Sequence, residues 1–200
     1  MLEFFATSFD LPILAWIQQY LQCAFMDFLM PVITLFGDAG IFWIACAVIL
    51  LIIPKYRKTG LAMGIALLMG VIICNVIMKP LVGRIRPYDF IEKVLNQDLS
   101  QYIEGGKLLI HEHSDFSFPS GHTIASFEAS VPLLINHKRL GIPALILAVL
   151  IAFSRLYLFV HYPTDVIISI ILGTAFAIFA NWLVNKLWTK IPVRKGKYEA

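Results

Sequence analysis

The sequence predicts an all-α protein: a polytopic membrane helical bundle with about six transmembrane helices. Three observations carry this prediction. Of the 200 residues, 59% are hydrophobic and 14% charged, with a mean hydropathy of +0.79; soluble domains run at about 45–50% and about 25%. Apolar runs near the ~20 residues needed to span a bilayer recur along the chain. Basic residues gather in three short segments that fall on one side when the runs are counted as six. A net charge of +3 is too weak to argue for nucleic acid as a partner. The length suits one domain, residues 1–200.

Taken in order, residues 11–36 form an apolar but interrupted run, broken by Pro12, Gln18, Gln19, Gln22, Asp27 and Pro31. They are expected to make one crossing with an interfacial lead-in over 11–22, where Trp16 and Tyr20 suit the headgroup level. The N-terminus MLEFFATSFD carries acids where a signal peptide would carry bases, so this first segment is expected to be its own insertion signal. Clearer runs follow at 39–54, 60–79, 122–136, 141–160 and 165–188. The connection PKYRKTG carries Lys55, Arg57 and Lys58; HKRL carries Lys138 and Arg139; the tail carries Lys190, Arg194, Lys195 and Lys197. Basic short loops mark the cytoplasmic side, which places both termini there and the long loop 80–119 on the outer face of the plasma membrane. Cys23, Cys46 and Cys74 all fall in apolar runs and are expected to be small buried hydrophobes.

Charged groups concentrate where a membrane protein should avoid them, at three outer helix ends. The third run closes on MKPLVGRIRPYD, the fourth opens on FPSGH, and the fifth and sixth are joined through SRLYLFVHYPTD. Folding the bundle would bring these ends together. Lys79, Arg86 and Arg155 would supply fixed positive charge, the arginines with a geometry suited to phosphate oxygens. Ser120 fits an N-cap, and Gly121 lets a ligand approach the first N–H groups of that helix, an anion site. His122 and His161 can act as acid, base or nucleophile near neutral pH. Asp165, four residues after His161, can orient it. An anion pocket with two histidines at a membrane surface fits phosphoryl transfer on a lipid.

The three motifs together resemble the type-2 phosphatidic acid phosphatase family of integral-membrane lipid phosphate phosphatases, which share a core with glucose-6-phosphatase and the vanadium haloperoxidases. The family pattern is a Lys, six residues and Arg-Pro; then Pro-Ser-Gly-His; then Ser-Arg, five residues, His, three residues and Asp. Here it reads KPLVGRIRP (79–87), PSGH (119–122) and SRLYLFVHYPTD (154–165), in order and without departure. The motif-bearing core covers 60–188. The resemblance implies that His161 is a nucleophile forming a phosphohistidine, that Asp165 orients it, and that His122 protonates the leaving lipid oxygen. It implies that Lys79, Arg86, Ser120, Gly121 and Arg155 hold the phosphate, with no cofactor and no metal. Among small bacterial members it implies undecaprenyl pyrophosphate as substrate, with phosphatidylglycerophosphate and phosphatidate as alternatives. A lipid-phosphate transport or binding protein is the reading of another class. It would need the cations but not the His–Asp pair.

Blander readings stand beside these. The cations could snorkel to lipid headgroups, and His161 with Asp165 could be a structural helix-start pair. Arg84 lies within the first motif and Tyr88 beside it, but neither is a signature residue. His111 and His113, with Glu112 and Asp115, could hold a divalent ion but lack zincin spacing. Glu128 falls within the fourth run, and an intramembrane carboxyl is a functional candidate. It is expected to face the bundle interior and support the basic pocket, together with Asn75, one turn before Lys79, and Ser154. The sequence leaves the oligomeric state open.

Overall fold

The computed structural model describes residues 2–112 and 114–188. A helical lead-in (Leu2–Phe5, then the π-helical Ala6–Asp10) runs into α1 (Leu11–Leu21). Then come α2 (Ala24–Leu35), α3 (Ile41–Ile52), α4 (Arg57–Met69), α5 (Pro87–Lys93), α6 (Gly121–Asn136), α7 (Lys138–Tyr157) and α8 (Pro163–Trp188). Between α4 and α5 the chain continues as a π-helical stretch, Gly70–Met78, and a last turn, Lys79–Val82. Among the described residues, four helical stretches are long and apolar enough to cross a membrane: Ala24–Ile52, Pro54–Lys93, Lys138–Tyr157 and Pro163–Trp188. α6, with 16 residues, is shorter than they are.

Helix α6 is the hub, packed against α7, α8, α4 and α3. Small residues let the backbones approach, as membrane helices require when lipid is as apolar as their side chains. A Cβ on Gly60 of α4 would lie 2.7 Å from the Leu51 nitrogen of α3, and one on Gly173 of α8 would lie 2.9 Å from the Ile124 carbonyl of α6. Trp43 of α3 is buried and donates its indole N–H to the Ser126 hydroxyl (3.0 Å), which in turn donates to the His122 carbonyl (2.7 Å). Outward faces carry apolar side chains such as Ile44, Val71, Ile146 and Ile171, as a lipid-facing surface does.

The basic connections share one end of the bundle, as the sequence implies. The Tyr56 and His137 rings pack edge to face with centroids 4.7 Å apart, and Lys58 lies over the Trp188 ring. The basic tail after Trp188 falls outside the described residues. The start of the chain departs from expectation. Residues 11–36 do not run from one end of the bundle to the other. The helix breaks at Gln22, which is extended, and both ends of the segment touch the site at the other end of the bundle. Asp10 bonds Arg84 and Thr164, and Asp38 bonds His122. Residue 10 therefore lies opposite the basic connections, whereas the sequence predicts the N-terminus beside them. Gln18 is part of the reason: it is buried and donates to the Tyr157 carbonyl (2.6 Å) at the end of α7, whereas Gln19 is exposed. Cys74 is buried and Cys46 partly so, but Cys23 at the break is exposed.

The outer connection is held by apolar anchors. Tyr88, Phe90 and Ile91 of α5 and Leu99 and Ile103 beyond it are buried in the same cluster as Leu158, Phe159 and Tyr162. Ser117 closes it, its N–H donating to the Arg84 carbonyl (2.7 Å), just before a cis Phe118–Pro119 peptide leads into α6.

Candidate active site

His161 sits in the short connection between α7 and α8. Its N–H reaches back to the Arg155 carbonyl, and Phe159, two residues earlier, takes a positive φ of 60°. A non-glycine residue in that region is held there by its surroundings, a form of strain that gathers at functional sites. The imidazole is buried, with 1% of its surface exposed. Burial first, and then the charges of Arg86, Arg155, His122 and Lys79, hold its pKa well below the ordinary 6.5. The ring is thus neutral near pH 7, the state a nucleophile needs.

Its Nε2 faces the cations, 3.3 Å from Arg86 Nη1. Arg86 follows α4 by way of the π-helical stretch. Pro80 has no N–H for the preceding turn, and Lys79 donates its own to the Cys74 carbonyl, five residues back. Such wide turns are frequent at functional sites. Arg86 is anchored by the Val160 carbonyl (2.7 Å) and by Asp115, through the carbonyl (3.0 Å) and the carboxylate (2.5 Å). Lys79 pairs with the same carboxylate. Burial works against the charge of Asp115, but hydrogen bonds from Lys79 and Arg86 outweigh it and hold the pKa at about 2. Arg155 completes the cations, giving Nη1 to the Thr34 hydroxyl of α2 (2.5 Å).

His161 Nδ1 faces the other way. The sequence reading expects Asp165 to bond it directly, but the Asp165 carboxylate lies 3.7 Å away, beyond hydrogen-bond reach. Ser117 stands between. Its hydroxyl donates to Asp165 Oδ2 (2.5 Å) and lies 3.4 Å from Nδ1. Asp165 also takes the Tyr162 N–H (3.1 Å) and pairs with Arg84 (2.5 Å), which pairs in turn with Asp10 (2.7 Å) and stacks over the Tyr162 ring. All three members of this ion chain are buried. Arg84 therefore pairs with the Asp165 and Asp10 carboxylates and does not line the cavity with the other cations. Sequence reasoning missed Ser117 and Asp10. Ser117 lies outside the motifs, and the only signal for Asp10 was a lone acid ahead of an apolar helix.

A cavity of about 330 Å³ opens beside the cations. Its polar end meets Lys79, Arg86, Arg155, His122 and His161. It then runs between α3, α4 and α6 past Ile44, Val71 and Ile124 to Glu128. Ile44 and Val71 are each about half exposed on the outer face of the bundle (47% and 49%), so the cavity leads sideways toward lipid. Asn75 and Gly121 line it; the Asn75 amide oxygen would lie 3.3 Å from a Cβ on Gly121. Glu128 does face the interior, buried against Gly70, where any Cβ would collide with its carboxyl group.

Two expected residues stand back from the cavity. Ser120 occupies the N-cap position of α6 without capping it. Its N–H donates to the Ser169 hydroxyl (2.9 Å), and its Oγ accepts from Thr123 (3.0 Å). Ser154 donates to the Ile151 carbonyl (2.7 Å) within its own helix. His111 lines a separate surface cavity with Asp38 and Arg155, while Asp115 is engaged by the cations. His113 lies outside the described residues.

A helical bundle that gathers Lys79, Arg86 and Arg155 around a buried histidine defines a class: a membrane helical protein with a cationic, histidine-bearing pocket at one end. The PAP2 superfamily model matches residues 59–189, and the chain belongs to that superfamily. It is 31% identical over 177 residues to an undecaprenyl-diphosphatase of Sulfolobus acidocaldarius, covering 88% of this chain and 77% of that one. It is 35% identical over 159 residues to phosphatidylglycerophosphatase B of Bacillus subtilis, covering 74% and 63%. Among solved structures, LpxE of Aquifex aeolicus superposes with a TM-score of 0.68 at 22% identity, over 86% of this chain and 94% of that one.

Proposed function

We propose that the chain is a membrane lipid phosphatase that converts undecaprenyl pyrophosphate to undecaprenyl phosphate and inorganic phosphate. The observation that carries this reading is the buried His161 imidazole, with Nε2 turned to Arg86 at the cationic end of a cavity that continues between the helices. Relatives named for this activity and for phosphatidylglycerophosphate hydrolysis support it.

In this reading Lys79, Arg86 and Arg155 hold the terminal phosphate, displacing the Asp115 carboxylate. His161 Nε2 attacks phosphorus, with Nδ1 oriented by Ser117 and Asp165. The phosphorus–oxygen bond to the lipid breaks, and His122 protonates the departing oxygen. Water then attacks the phosphohistidine, returns a proton to His122 and releases phosphate. Preorganised donors of this kind are each worth ~2.7–4 kcal/mol of barrier.

The chain acts as one membrane-embedded unit with its site at the extracytoplasmic face, opposite Lys55, Arg57, Lys58 and Lys138. The crossings are α3, α4 with its π-helical extension, α6, α7 and α8, while α1 and α2 lie in the outer leaflet. This gives five crossings in place of six, with the described N-terminus outside and the C-terminal end cytoplasmic. The test is phosphate release from undecaprenyl pyrophosphate in detergent, run with chelator. Release should persist in chelator and vanish in His161→Ala. Binding without release in the wild type would point to a carrier, and loss of release in chelator would point to a metal-dependent reaction.

A further inference from the structure

The family match begins at residue 59, yet an earlier side chain reaches one of the two histidines. Asp38 follows α2, and its carboxylate lies 2.7 Å from His122 Nε2. The turn that presents it is shaped around the ring. Ala39 and Gly40 both take positive φ, 48° and 67°, a tight reversal that brings Asp38 over the start of α6. Gly37 leaves room for the imidazole, since a Cβ there would sit 2.6 Å from His122 Cδ2 and 2.9 Å from Ile151. A carboxylate can only accept a hydrogen bond, so Asp38 fixes a proton on Nε2.

We propose that Asp38 is the positioning residue of the acid His122, and that this pair equips the site to cleave lipid phosphate monoesters as well as diphosphates. The proposal rests on the phosphatase reading above. Asp38 accepts from Nε2–H, sets the ring plane and stabilises the imidazolium. The opposite nitrogen, Nδ1, then carries the transferable proton. As the His161 Nε2–phosphorus bond forms and the phosphorus–oxygen bond breaks, the electron pair left on the lipid oxygen takes that proton. His122 becomes neutral with Nε2–H still on Asp38. When water attacks, its proton returns to Nδ1 as the phosphorus–nitrogen bond breaks, restoring both histidines.

The chemistry makes a distinctive demand. An alkoxide leaving from a monoester is strongly basic and cannot depart without a proton. A lipid phosphate leaving from a diphosphate, or a nitrophenolate, is already a stable anion. General acid assistance is worth about 10²–10⁴-fold where the leaving group needs it.

The experiment compares wild type, Asp38→Asn, Asp38→Glu and His122→Ala on phosphatidate, farnesyl diphosphate and p-nitrophenyl phosphate, reading kcat and KM separately. Asp38→Asn should lower the phosphatidate to p-nitrophenyl phosphate ratio of kcat at least tenfold, through kcat and not KM. His122→Ala should shift the ratio the same way, and Asp38→Glu should recover part of it. An equal fall on all three substrates would make Asp38 merely structural, and an unchanged ratio would also overturn the proposal. A wild type inactive on every substrate would instead refute the phosphatase reading from which this one starts.

Discussion

In the proposed reaction Asp115 occupies the ground that a substrate phosphate takes, since it pairs with Lys79 and Arg86, and the cost of moving it can be worked from the structure. Lys79 and Arg86 draw its pKa from 3.8 to about 2. At ~1.36 kcal/mol per decade, that difference corresponds to about 2 kcal/mol of preference for the paired carboxylate. The Asp115 side chain is 49% exposed, so solvent screening reduces this to about 1 kcal/mol. An entering anion has to overcome that amount, and ~1.4 kcal/mol is tenfold in affinity. Asp115→Asn should therefore bind inorganic phosphate or vanadate about fivefold more tightly. The assay is the competitive inhibition constant of each anion at pH 7. The sign follows from the depressed pKa: the competition is complete above the ordinary value of 3.8 and fades as pH falls toward 2. An inhibition constant that is unchanged or larger in Asp115→Asn would refute the reasoning, because the carboxylate would then be supporting the cations instead of competing for them.

Other outcomes follow from the same geometry. Asp10→Ala leaves Arg84 with one carboxylate in a buried site and should cost about 3 kcal/mol of stability, read as a lower unfolding midpoint in detergent. Ser117→Ala should lower kcat by more than tenfold without changing KM, because the link from His161 to Asp165 is lost; an unchanged kcat would dismiss the bridge. With the His161 pKa held below 6.5, the acid limb of kcat/KM assigned to its protonation should lie below pH 6.5, and a limb at or above that value would contradict a neutral buried imidazole. Glu128→Gln should weaken turnover or stability by support of the cavity floor, and a variant unchanged in both would remove Glu128 from the site.

Much of this architecture can be read in the sequence, because membrane burial makes polar residues conspicuous. Lys79, Arg86, His122, Arg155 and His161 stand out as charges at the ends of apolar runs, and the structure brings all five to one cavity. The pairing of the basic connections follows from their composition in the same way. Long-range partners are less visible. Arg84 falls within the first motif's span, yet its role is set by Asp10, 74 residues away, and by Asp165, 81 residues away. No periodicity announces that pairing. Ser117 and Asp38 are ordinary loop residues until the chain turns them inward. The N-terminal stretch misled because its glutamines and prolines weaken an apolar run without saying what the glutamines bond. The contacts of Asp10, Gln18 and Asp38 with the site end of the bundle show that the run doubles back.

The sideways opening of the cavity between Ile44 and Val71 has a kinetic consequence. A lipid whose phosphate reaches Lys79 and Arg86 by that path keeps its tail in the leaflet throughout turnover. The encounter is then two-dimensional, and the quantity that saturates the enzyme is the mole fraction of substrate in the surface, not its bulk concentration. Diluting the substrate with neutral detergent at constant total lipid phosphate should slow the reaction as surely as removing substrate does.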